Sequence, residues 1–146
     1  MMQRLQTRVR SRHRSGTSVT ELAFVLPVVL AFVLGAIDFA QVMFAYGTVS
    51  EAARAGARYA IAHGTASSLP AGPTANDANV QAIVQYYSFG LGNSNVAVTS
   101  TWSLGSNTIG SPVNVTATYN CKLSISRLFG FSNFSVKGSS TMMVTH

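Results

Sequence analysis

The chain is expected to fold as α+β: a long N-terminal helix, transmembrane at first and amphipathic beyond, then a short second helix and a small antiparallel sheet of about three strands. Three observations point there. A sixteen-residue run without a charge, Leu22 to Ile37, lies near the N-terminus. Helical spacing continues past it to Ala60, and from Asn95 onward the apolar period changes from the helical 3.6 to two.

The apolar run, LAFVLPVVLAFVLGAI, would extend roughly 24 Å as a helix, against roughly 30 Å of hydrocarbon. It reaches across if Phe39 to Tyr46 continues it, with Asp38 and Gln41 as the polar interruptions. Pro27 lacks an amide proton and is expected to bend or loosen the helix. Beyond the span, Phe39, Met43, Tyr46, Val49, Ala53, Ala57 and Ala60 recur at steps of three and four and predict one packing stripe, set against the chain's own domain, against neighbouring subunits, or part against each. Gln41, Thr48, Glu51, Arg54 and Arg58 lie largely off it. Gly64, followed by Pro70 and Pro73, ends the helix.

A second helix is predicted from about Ala75 to Phe89, on the spacing of Val80, Ile83, Val84, Tyr87 and Leu91. Thr74 and Asp77 are in a capping arrangement before it, and Gly90 and Gly92 close it. Val96, Val98, Trp102 and Leu104 then share one face of a strand. Val113, Val115, Ala117, Tyr119, Cys121 and Leu123 share one face of the next, with Gly105 to Gly110 as the turn. Phe134, Val136, Met142 and Val144 predict a third strand. The opposite faces are mostly Thr, Asn, Ser and Lys, the mark of a sheet wet on one side. Leu128, Phe129 and Phe131 are expected to cover the end of this core.

The predicted boundaries are a basic leader over 1–16, a transmembrane helix over 17–46, its amphipathic continuation over 47–63, and an exported domain over 64–146. At 146 residues there is room for one compact domain and an anchor. Hydrophobic residues make up 47% and charged residues 10%, far below the roughly 25% of a soluble domain.

The net charge of +6 suggests nucleic acid, but its distribution does not. Arg4, Arg8, Arg10, Arg12 and Arg14 supply five of the six charges, so the chain beyond Gly16 carries +1 and has no basic stripe to follow phosphates. Arginines flanking one side of an apolar run are instead placed in the cytoplasm by the positive-inside rule, with the chain beyond about Ser50 exported. An ordinary cleaved secretory signal competes with this reading. Cuts after Ala36 or Ala40 put Leu34 or Asp38 where a small residue is needed, and only an end at Gly35 is tolerable.

Catalysis finds little support. There is no Gly-x-Ser-x-Gly elbow, Gly90-Leu91-Gly92 lacks the third glycine of a dinucleotide fingerprint, and Asp77 is the one acid outside the long helix. The single Cys121 cannot form an intrachain disulfide, and His13, His63 and His146 lack ligand spacing. No enzyme activity, cofactor or metal is expected.

The informative stretch is Gly16-Thr17-Ser18-Val19-Thr20-Glu21. A carboxylate deep in a membrane costs on the order of 2.5–3.5 kcal/mol and needs a partner. Cutting after Gly16 would give Thr17 a cationic α-amino group close to Glu21 in sequence. At about 4 Å and an effective dielectric of about 20, the two attract by about 4 kcal/mol before desolvation.

From Arg14 to Ala60 the chain resembles the N-terminal region of TadE-like proteins, minor pseudopilins of the tight-adherence (Flp) pilus system. The resemblance implies that a prepilin peptidase cuts after Gly16, that Thr17 begins the mature chain, and that Glu21, its fifth residue, aids subunit assembly. Asp38 falls where many relatives have an acid, which implies an assembly role. Arg54, Gly56, Ala57, Arg58 and Tyr59 match their small-residue and arginine pattern. The implied partners are prepilin peptidase, other pilin or pseudopilin subunits, the inner-membrane assembly platform and the lipid bilayer, with the exported domain periplasmic. Some relatives carry paired cysteines, so a disulfide does not carry over. A second reading is an uncleaved membrane-anchored envelope adhesin or binding module.

Overall fold

Helix α1, Ser15–Ala62, begins in the threonine- and serine-rich turn before the apolar run and continues through Pro27 without interruption. The computed structural model describes residues 15–92, 95–124, 130 and 134–145. Most of the basic leader and the Leu128, Phe129 and Phe131 segment lie outside these. The chain divides into two units, residues 1–36 and 37–146. In the first, the described residues are helix, and Leu22, Phe24, Val28 and Phe32 are all exposed. A helix apolar on every side and exposed among the described residues suits lipid rather than water.

The second unit holds the rest of α1, helix α2 (Ala78–Tyr87) and strands β1 (Val96–Trp102), β2 (Pro112–Cys121) and β3 (Phe134–Met143). The sheet is antiparallel in the order β1-β2-β3. Val98 pairs with Ala117 and Trp102 with Val113, while Ala117 pairs with Gly138 and Tyr119 with Val136. One face of this sheet and the inner face of α2 close over α1. Val80 and Val84 of α2 and Val113, Val115 and Ala117 of β2 are fully buried, together with Val49, Ala52, Ala53, Ala57 and Ala60 of α1. The outer face of the sheet carries a polar network, in which Asn114 Nδ2 donates to Ser139 Oγ (3.0 Å) and Thr141 Oγ1 (2.7 Å).

Close approach of the elements depends on missing side chains. A Cβ on Gly138 would sit 2.8 Å from Ser50 Cα and from the carbonyl carbon of Val49, so β3 crosses the helix backbone where only glycine fits. A Cβ on Gly56 would collide with Val84 and come within 3.1 Å of Val115 Cγ1.

The packing stripe differs from expectation in its first half. Phe39, Met43 and Tyr46 are exposed, whereas Asp38 and Ala45 are buried and Val42 is half-buried. Counting back from Val49, steps of four, three and four reach Ala45, Val42 and Asp38 along one line. Two successive steps of three, through Tyr46 to Met43, rotate about 120° away from it at 3.6 residues per turn. The predicted stripe followed the larger apolar residues and passed over a buried aspartate.

Helix α2 starts at Ala78 rather than Ala75, and its N-cap is Asp77 rather than Thr74. Asn76, with φ of 61°, is left-handed and cannot continue a helix. In β1 the inward positions are Val96, Val98, Ser100 and Trp102, while Leu104 has passed into the turn and is exposed. Phe134 opens β3 half out of the core.

Candidate assembly and anchoring segment

Gly16 and Thr17 occupy the first turn of α1, and Glu21 follows one turn later, exposed. The carboxylate is therefore presented on the helix surface, available to a group outside the first unit. Within the described residues, α1 is one helix long and apolar enough to cross a membrane.

Asp38 is placed differently. It is 5% exposed, and its Oδ1 accepts a hydrogen bond from the Ser124 backbone N–H at 3.0 Å. A carboxylate on the buried line of α1 thus holds the segment that leaves β2. Arg54 and Glu51 form an exposed ion pair one turn apart at 2.6 Å. Such a pair contributes at most about 1 kcal/mol. Gly56 and Ala57 are buried, and Tyr59 stacks on His63 with ring centroids 4.0 Å apart. The arginine and small-residue pattern is thereby divided between roles: the small residues are buried in the core, Gly56 against Val84 of α2 and Val115 of β2, and the arginines are exposed.

Asp77 and Asn107 organise the end of the unit near the close of α1, and of their roles only the capping by Asp77 was legible in part. One Asp77 oxygen accepts from the Asn79 and Val80 N–H groups at 2.9 and 3.1 Å, and the other accepts from Gly72 N–H at 2.9 Å. The Asp77 N–H donates to the buried Ser100 hydroxyl at 3.0 Å. Asn107, also buried, donates to the Ala71 carbonyl at 3.0 Å. An aspartate just before helical spacing was the available signal for the first, while Asn107 sits in a polar turn and gave none. Burial pushes the Cys121 thiol above its ordinary range. Among the described residues, no group of three or more His, Cys, Asp or Glu is placed to hold a metal ion.

One helix able to cross a membrane, continued into a small α+β unit built around its second half, defines a class of proteins with a candidate single-span anchor. Within that class, residues 16–58 match the family model described as TadE-like protein, so this chain carries a TadE-like segment. The match starts at Gly16 and takes in Glu21, the apolar run, Asp38 and Arg58. No curated protein and no solved structure matches the chain.

Proposed function

We propose that this protein is a minor pilin or pseudopilin subunit of a tight-adherence (Flp) pilus or a related secretion machine. A prepilin peptidase removes the basic leader after Gly16. The mature subunit stays in the inner membrane through α1, with its second unit in the periplasm, until the assembly platform joins it to other pilin or pseudopilin subunits. The observation that carries this reading is the TadE-like match, which begins at the glycine and includes the glutamate five residues on.

The chemistry is that of a switchable terminus. Hydrolysis of the Gly16–Thr17 bond removes five arginines and leaves a cationic amine at Thr17, one helical turn from Glu21. That amine, from the same or a neighbouring subunit, offsets the cost of placing the Glu21 carboxylate at the membrane. Asp38 serves the fold of the subunit through Ser124. N-terminal sequencing or intact mass of the protein from its native membrane tests the proposal. A terminus at Thr17 is expected. An intact Met1 would favour the uncleaved envelope adhesin, and a terminus near Ala36 an ordinary secreted protein.

A further inference from the structure

Ile37 closes the charge-free run and is also the first residue of the second unit. Over the next two turns of α1 the surface of this unit is apolar on one flank and mixed on the other, where Gln41 and Tyr119 stand beside Phe44. On one flank Phe39, Val42, Leu123 and Phe134 line a shallow cavity, and the polar side chain in it, Asp38, already holds Ser124. On the other, Phe44 packs beside Gly90, next to Phe89, which is 84% exposed. Lys122, the residue after β2, lines this second flank and is exposed.

From this we infer that the end of the second unit around Asp38–Ala45 is a lipid-binding surface, seated in the headgroup zone of a bilayer with its phenylalanines at the acyl boundary and Lys122 on a lipid phosphate. The inference rests on the membrane anchoring proposed above. The apolar run supplies roughly 24 Å of helix against roughly 30 Å of hydrocarbon, so the membrane reaches the turns that carry these rings. Apolar rings beside an exposed lysine suit that boundary, where the rings meet acyl chains and the ammonium extends to anionic headgroups. The carboxylate at this level, Asp38, is buried and hydrogen-bonded rather than turned toward them.

The β1–β2 turn gives an internal reference. It also exposes an apolar side chain, Leu104, but lies at the other end of β2, roughly 30 Å from Lys122 at strand rise. The test uses the full chain in phosphatidylcholine–phosphatidylglycerol vesicles, with a nitroxide label on Val29→Cys, Phe89→Cys or Leu104→Cys. The buried Cys121 is protected from the reagent. Collision with oxygen relative to a nickel chelate is expected to be several-fold higher at position 89 than at 104, approaching the value at 29. Lys122→Glu is expected to lower the ratio at 89, and an unchanged ratio would overturn the headgroup contact. If 89 matches 104 while 29 remains in lipid, the lipid seat is wrong and the anchor stands. If 29 is also open to nickel, the anchor fails and the seat with it. Shielding of 89 from both reagents, with spin broadening as protein density rises, would assign this surface to a second copy and overturn the proposal.

Discussion

Asp38 accepts a hydrogen bond from the Ser124 N–H at 3.0 Å, joining residues 86 positions apart. One partner follows the apolar run directly and the other leaves the central strand, so the contact closes the second unit at the end from which α1 enters it. Asp38→Ala would remove the acceptor of this partly buried, charge-assisted hydrogen bond, at a cost of about 1–3 kcal/mol. Trp102, the one tryptophan and buried in the same unit, reports unfolding. Its fluorescence in detergent-solubilised protein should show a lower urea midpoint for Asp38→Ala, with Asp38→Asn, which keeps an oxygen acceptor, between it and wild type.

Two glycines should respond in opposite directions. Gly138→Ala puts a methyl group against the backbone of Val49 and Ser50, which cannot turn aside as a side chain can. A loss of about 1–3 kcal/mol is expected in the same urea titration. Gly47, exposed in the interior of α1, has nothing within 4 Å of its missing Cβ. Gly47→Ala should therefore stabilise, by up to about 1 kcal/mol.

Cys121 gives a pH-dependent prediction. Burial raises the thiol pKa above 9.0, so the folded state holds this proton more tightly than the unfolded state. The resulting stability is present below the unfolded pKa and is lost as pH rises through the folded one, a window above about pH 9. At pH 8 alkylation by iodoacetamide, followed by mass spectrometry, should be slow in native protein and fast in urea.

Processing and assembly should separate genetically. Gly16→Leu is expected to leave the leader attached, since a side chain there obstructs the close backbone approach that glycine permits. Glu21→Ala should leave the cut bond unchanged and impair the joining of subunits, because it removes the partner of the Thr17 amine. Intact mass reads the first effect, and recovery of the subunit in sheared pilus or assembly-complex fractions reads the second. Loss of cleavage in Glu21→Ala would contradict this division of roles.

Features that depend on neighbours along the chain could be read before any fold was known. The charge-free run and its continuation produced α1, period-two alternation produced three strands, and glycine-rich turns separated them, because apolar spacing and turn chemistry act over a few residues. The segment around Gly16 and Glu21 stood out by its place between five arginines and the apolar run, while its proposed roles rest on the TadE-like resemblance. Which line of α1 is buried was set by packing in the folded chain. Phe39, Met43 and Tyr46 are the more hydrophobic choice, yet the sheet packs on the line of Asp38, Ala45 and Val49, where small side chains let β3 approach and where Gly138 meets the helix backbone. That choice depends on shape summed over partners distant in sequence, and a local pattern carries no record of it. The same holds for Asp38 and Ser124. A lone acid at the end of an apolar run reads as a surface group until a backbone N–H 86 residues away is brought to it.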